Sequence, residues 1–291
     1  MPTPASAPQT VVASAPRGRL RGQHVHIGAV WVSLMEPDAG SEAAFNQWYG
    51  DDHFYAGGMS VPWIFAGRRW ICPHTHQAVR VSADNTTFQP PQAGRFLHLN
   101  FFSQGHVDEA AVVLGDTIAR LMGEGRMYVD SIPRWHVFSR LQPYAGAVYA
   151  DREDDGPLDV HALDHPFGGV VVEVLRTGPG QERAALVDWL LGEFVPARLG
   201  TARADMCLVS LDAELPDAVA QKTSRVPRTY GEEADQRVTL LWFTADDPLE
   251  AWSDRFASHA DGIRDGGLGV LEFASPFVPT VPGTNRHVDQ L

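Results

Sequence analysis

The stretches GAVWVSLM (residues 28–35) and GVVVEVLR (residues 169–176) decide the reading of this chain, because each opens the same succession of elements. After the first come a helical stretch at 42–56 and an apolar run at 63–71; after the second come 181–199 and 204–211. The first half closes with RFLHLNFF (95–102), a helical stretch at 107–122 and a strand at 134–141. The second closes with RVTLLWFT (237–244), then 249–263 and 269–273. The order βαββαβ, stated twice, predicts two α+β units in tandem. The expected division is a disordered leader at 1–22, a first repeat at 23–143, a linker at 144–167, a second repeat at 168–274 and an extended tail at 275–291.

Composition narrows the function classes. With 291 residues, 44% of them hydrophobic, the chain has material for two domains of ordinary size. A net charge of −13 disfavours nucleic acid and anionic membranes as partners, since phosphate binding draws on clustered cations. No run approaches the roughly 18 apolar residues of a spanning helix, and the N-terminal segment lacks the layout of a secretory signal. A cytoplasmic location is expected, as a monomer or homodimer acting on a small molecule. Cys72 and Cys207 are too few for a disulfide framework. The single lysine, Lys222, confines Schiff-base chemistry to that position. Phosphate-cradling glycine loops and the G-x-S-x-G nucleophile motif are absent.

Periodicity and punctuation place the candidate residues. Phe45, Trp48, Tyr49, Asp52, His53 and Ala56 fall on one face of a 3.6-residue repeat, with Ser41 as the expected N-cap. The corresponding stripe in the second half is Leu186, Trp189, Leu190, Glu193, Phe194 and Ala197, and Asp247-Pro248 reads as a cap with proline at the first helical position. On the third strand Phe96, His98, Asn100 and Phe102 share one face, and Leu97, Leu99 and Phe101 the other. Histidine and asparagine among phenylalanines suit a small-molecule pocket with few polar groups in apolar walls. Two long loops, 72–94 and 212–236, sit at matching places between the second and third strands of each half and read as lids or insertions. Alternation puts Arg134, His136, Phe138 and Arg140 on one face of the fourth strand, read as solvated.

The segment Phe45-Asn46-Gln47-Trp48-Tyr49-Gly50-Asp51-Asp52-His53, followed by Val61-Pro62 and Arg68-Arg69-Trp70, resembles the first helix and second strand of the dimeric α+β barrel superfamily, in particular its EthD-like branch. The resemblance as a motif covers residues 27–71. It implies ferredoxin-like repeats whose sheets join into a barrel, here within one chain. Members include cofactor-free cyclases, lyases, isomerases and monooxygenases of aromatic or polyketide-like substrates, and haem enzymes, so the fold alone chooses no reaction. In polyketide cyclases of the superfamily, sheet histidines and a tyrosine act as base and acid. The resemblance carries that role to His26, His98 and Tyr49, with His53 added from the helix.

The copies differ where chemistry is expected. Aligning Trp48 with Trp189 sets Phe194 opposite His53, and Thr239, Leu240 and Leu241 fall opposite His98 and Asn100. The second half therefore reads as a scaffold copy, with one active pocket in the first half. Proton abstraction beside a carbonyl needs a base with a pKa near neutrality and a donor for the developing oxyanion. His53 or His98 supplies the base; Tyr49, Asn100 or Arg69 supplies the donor. Trp48, Phe96 and Phe102 are candidate walls, with Trp63 and Trp70. No cofactor or metal is expected: His24-x-His26 and Cys72-Pro-His74-x-His76 lack a complete ligand set. The alternatives are a protein that binds a small molecule in the same pocket without chemistry, and a haem-dependent enzyme of the same superfamily. Gly262-Ile263-Arg264-Asp265-Gly266 matches the GxxDG string of dye-decolourising peroxidases, read as accidental, whereas chlorite dismutase-like proteins place a haem-ligating histidine in a second repeat, which makes His259 the haem candidate.

Overall fold

The computed structural model describes residues 25–84, 86–127, 130–150, 156–199, 204–222 and 234–291. The predicted leader, His24 and about half of the loop at 212–236 lie outside the described residues. In the first half the strands are β1 (Ile27–Pro37), β2 (Ile64–Ile71), β3 (Val81–Ser82), β4 (Phe96–Ser103) and β5 (Arg134–Tyr149). In the second they are β6 (Gly169–Thr177), β7 (Ala204–Leu211), β8 (Arg237–Thr244) and β9 (Gly269–Pro279). They hydrogen-bond in the order β2-β4-β1-β5-β7-β8-β6-β9, and β9 returns to β2 through Trp70↔Pro279 and Ile71↔Val278. The result is a closed antiparallel barrel of eight strands, with β3 appended to the middle of β9. Leaving β3 aside, each half has the same internal order: second, third, first, fourth.

Alternation sorts the side chains as the strand pattern demands. Val30, Val32, Leu34, Leu97, Leu99 and Phe101 join Val170, Val172, Val174, Leu208, Leu241 and Phe243 in one apolar cluster inside the barrel. The opposite faces turn outward under helices. Those of the first half are α1 (Glu42–Trp48), continuing as a π-helix over Tyr49–Met59, and α3 (Val107–Gly123); between them α2 (His74–Gln77) lies in the first long loop. The second half carries α4 (Arg183–Trp189), a π-helical turn at Leu190–Phe194, α5 (Val195–Leu199), α6 (Asp217–Ala220), α7 (Trp252–Arg255) and α8 (His259–Asp265). None of the helices among the described residues is long and apolar enough to cross a membrane.

Four sequence expectations need correction. The stretch read as a linker begins inside a strand: β5 runs to Tyr149 and pairs with β7, so Tyr144–Tyr149 joins the two halves. The proline-bearing tail also begins in a strand, since Pro276 and Pro279 belong to β9. Ser41 makes no side-chain cap, although Asp247 does, accepting from Leu249 N at 2.9 Å. The stretch 249–263 is not one helix but a short 3-10 turn followed by α7 and α8.

Each long loop crosses to the other half. From the first, β3 pairs with β9, Phe88 stacks on Phe273 at 4.6 Å, and His76 Nε2 lies 2.8 Å from Asp247. From the second, α6 lies on α3, and Val219 is fully buried beside Leu114 and Ile118. Gly115 permits that approach, because a Cβ there would stand 2.2 Å from the Ala218 carbonyl oxygen. Beyond β9 the tail folds back over α1, where Asn46 Nδ2 donates to the Thr284 carbonyl at 2.9 Å.

Candidate active site

Between the outer face of the first-half sheet and its helices lies a cavity of about 90 Å³. That is several times the ~10–15 Å³ one water requires. Its apolar wall includes Trp31, Met35, Trp48, Phe102, Leu114 and Ile118. Its polar groups are Tyr49, His53, His98, Asn100, His136, Ser33 and Ser139.

The π-helix positions two of these. Tyr49, His53 and Gly57 follow at intervals of four, close to one turn of the widened helix, and line one side. Gly57 leaves room for the imidazole, because a Cβ there would stand 2.8 Å from His53 Cε1. Trp48 stacks on the His53 ring with centroids 4.7 Å apart, and its indole N–H donates to the Arg126 carbonyl at 2.8 Å. From β4, His98 and Asn100 reach the same space by alternation, as the sequence predicts. The central contact is Tyr49 Oη to His98 Nδ1 at 2.6 Å, fully buried. His53 Nδ1, His98 Nε2 and Ser139 Oγ are buried without a hydrogen-bond partner.

His136 and Ser139 escaped the sequence reading, and a bulge explains why. Leu34 pairs with Phe138 but Met35 pairs with His136, so β5 carries one extra residue at Val137. Strict alternation puts His136, Phe138 and Arg140 on one solvated face; the bulge instead turns His136 and Ser139 to the cavity and Phe138 and Arg140 into the barrel. Arg140 is buried there, 3.2 Å from Asp212. His136 Nδ1 lies 3.4 Å from Ser33 Oγ. Arg134, also at the cavity, places its guanidinium 4.0 Å from the Trp48 ring and donates to the carbonyls of Ile132 and Met127.

Other predicted residues stand elsewhere. His26 is exposed at the edge of β1 and does not line the cavity. Arg69 lies behind Tyr49, its guanidinium 4.8 Å from the phenol ring and held by Asn46. Phe96 packs edge-on against Phe45 at 4.8 Å, outside the lining. Trp70 is inside the barrel, and Trp63 is half exposed, stacked on His106 at 3.7 Å. His76 is committed to Asp247 and Cys72 to Ser275.

Burial governs the electrostatics. Loss of solvent pushes the His53 imidazole down to about 3 and His136 to about 4, with Arg134 adding to both. His98 falls well below the usual histidine range for the same reason, helped by His53 and Arg69. The expectation of a base with a pKa near neutrality is therefore not met. Burial raises the Tyr49 phenol above its ordinary value, against the pull of Arg69 and Arg134. At neutral pH the cavity presents three neutral imidazoles and an un-ionised phenol.

The second half is less bare than its sequence suggests. Ser33 pairs with His98 and Ser139, while Glu173 pairs with Leu240 and Ala274, so Glu173 occupies the place of Ser33 and Leu240 that of His98. By the same register Trp242, not Leu241, stands where Asn100 does. Glu173, fully buried, accepts from Trp242 Nε1 at 2.7 Å and lies 2.7 Å from His259 Nδ1. His259 in turn lines a recess of about 200 Å³.

No family model matches the chain, and no curated protein does. Among solved structures it is similar to an anthrone oxidase-like protein, at 11% identity over 89% of this chain and 95% of that one, with a TM-score of 0.47. A novel heme-binding protein from Thermus thermophilus shares 13% identity over 90% and 95%, with a TM-score of 0.45. An encapsulated DyP-type peroxidase from Mycobacterium smegmatis shares 11% over 87% and 93%, with a TM-score of 0.40. Likeness at this level assigns no activity to this chain.

Proposed function

We propose that the chain is an internally duplicated dimeric α+β barrel of the EthD-like kind, and that its first-half cavity performs cofactor-independent acid/base chemistry on a hydrophobic aromatic or polyketide-like molecule. Cyclisation, dehydration, isomerisation or cleavage are the reactions this chemistry serves. The observation that carries the reading is the buried Tyr49–His98 contact at 2.6 Å in a cavity that also holds His53.

A low pKa makes an imidazole a weak base, yet the same desolvation rewards one kind of step. Proton transfer from carbon beside a carbonyl creates an imidazolium and an enolate together, in contact, where a low dielectric strengthens their attraction. His98 holds its proton on Nδ1 when it donates to Tyr49 Oη, which leaves Nε2 as the acceptor. In the other tautomer the phenol donates to Nδ1 and Nε2–H becomes a donor for an oxyanion. On the same strand Asn100 is held by the Ala66 carbonyl and the Met59 sulfur, to which its Nδ2 donates, and His53 offers a second base. The enclosed volume suits the reacting ring, with the rest of a larger substrate lying toward the mouth.

Haem is the second reading, and the Glu173–His259 pair favours it, because metal-ligating histidines commonly donate their other nitrogen to a carboxylate. The surroundings do not fit a porphyrin. Phe194, Trp242 and Phe256 pack within 5.1–5.5 Å of the His259 ring, and the recess beyond is walled by Arg198, Asp254, Arg255 and Ser258. No step is routed through haem.

The test is deuterium exchange. Neutral aryl ketones incubated with the full chain in D₂O are expected to gain deuterium at the carbon beside the carbonyl, and His98→Gln to slow this by about 10²-fold or more, the usual worth of a positioned base. Exchange that His98→Gln leaves unchanged, or no exchange with any ketone tried, contradicts the reading.

A further inference from the structure

We propose that Arg69 is a positioning residue that makes Tyr49 the donor in its contact with His98, so that His98 presents Nε2–H to an oxygen of the ligand. This rests on the proposed acid/base function for what that proton does, and it decides which of the two tautomers the site uses. Tyr49 Oη and His98 Nδ1 stand 2.6 Å apart, and His98 Nε2 is buried without a hydrogen-bond partner. Both residues line the cavity, so either arrangement leaves its spare proton there: on Tyr49 Oη if Nδ1 donates, on His98 Nε2 if the phenol donates. The number of hydrogen bonds does not choose between them. The charge behind the phenol ring does.

The Arg69 guanidinium lies 4.8 Å over the Tyr49 ring. Burial draws its pKa down to about 10, which leaves it charged at neutral pH. Its hydrogen bonds go to neutral groups of Asn46: Nη2 donates to Oδ1 at 2.9 Å and Nη1 to the backbone carbonyl at 3.2 Å. The C-terminal tail fixes both residues. Asn46 Nδ2 donates to the Thr284 carbonyl and to Asn285 Oδ1, each at 2.9 Å, while Thr280 N and Oγ1 donate to the Arg69 carbonyl at 3.1 Å. Gly50 leaves space for the guanidinium, because a Cβ there would stand 2.8 Å from Arg69 Nη1. A cation held over a phenol favours negative charge on its oxygen, so the hydroxyl becomes a stronger donor and a weaker acceptor. Arg69 pulls the Tyr49 phenol in this sense, against the burial that raises it, and it opposes proton gain at His98. The phenol therefore donates to Nδ1 and the His98 proton sits on Nε2. When a C–H bond beside a ligand carbonyl breaks, its electron pair passes to the oxygen that this Nε2–H holds. His53, whose Nδ1 is likewise unpartnered, takes the proton. The end of the second half thus reaches the chemistry of the first.

Nitrogen-15 NMR of the His98 ring in the full chain, with no substrate present, tests the assignment independently of the exchange experiment. In the parent chain at pH 7, Nε2 should be the protonated nitrogen and Nδ1 the acceptor. Arg69→Gln should bring the two signals closer together as the tautomers mix, and Arg69→Lys, which keeps the charge, should return them most of the way. Gly50→Ala displaces the guanidinium without touching the phenol or the imidazole. It should move the signals in the same direction as Arg69→Gln, and it supplies the reading if that variant does not fold. The proposal is overturned if the parent proton sits on Nδ1, if Arg69→Gln, or Gly50→Ala in its place, leaves both signals unmoved, or if Arg69→Lys departs from the parent as far as Arg69→Gln does.

Discussion

At His98 two demands meet on one ring. Its strand delivers it to a buried layer, which keeps it neutral, and Tyr49 fixes one of its nitrogens at 2.6 Å. Removing the phenol hydroxyl strands His98 Nδ1 in that layer. Tyr49→Phe should therefore lower unfolding free energy by about 1–3 kcal/mol, the penalty for a buried unsatisfied polar group, as measured by urea denaturation. A loss near zero would mean that the contact does not persist in solution. His98, Asn100 and Tyr49 were legible in the sequence because alternation and helical periodicity each place a polar residue on a buried face. His136 and Ser139 were not, because a one-residue bulge leaves no mark on composition and reverses the facing of every residue beyond it.

The element that shapes the site is the helix running from α1 into its π-helical continuation. Its apolar stripe was legible, but the change from α to π at Tyr49 was not, since two turns of either periodicity put residues four apart on nearly one face. Gly57 is where that geometry is most exacting. Gly57→Ala drives a methyl to within 2.8 Å of the His53 ring, so the imidazole must leave its stack on Trp48. The variant should fold, lose the His53–Trp48 ring-current shift in proton NMR, and fall in exchange activity. An unmoved His53 resonance would show that the helix yields instead. Trp63, taken from sequence as the first residue of a strand, adopts φ 71° before β2, a turn conformation that the apolar run conceals.

The whole molecule is a barrel closed by two seams, β5 with β7 and β9 with β2. The succession of elements read in each half made the eight strands legible. The seams were not, because both use residues read as linker or tail, and neither was the exchange of long loops between halves, which depends on contacts distant in sequence. Acid stability is a property of this scale. Histidines held below their unfolded pKa contribute stability that is complete above about pH 6.5 and is lost as pH falls toward the folded values, about 3 for His53 and about 4 for His136. At pH 5 each costs about 2 kcal/mol relative to pH 7. The melting temperature should fall from pH 7 to pH 5, before most carboxylates titrate, and His136→Asn should flatten the fall. A melting temperature constant over that interval would contradict the burial of these rings.

Nitrogen-15 NMR titration of the histidine side chains tests the central claim most directly, because it reads the protonation and tautomer of each ring in the intact chain. The account predicts that His53 and His98 stay neutral from pH 8 to pH 5, and that the His98 Nδ1 signal shifts in Tyr49→Phe. Titration of both rings near pH 6.5, with no response of His98 to loss of the Tyr49 hydroxyl, would contradict it.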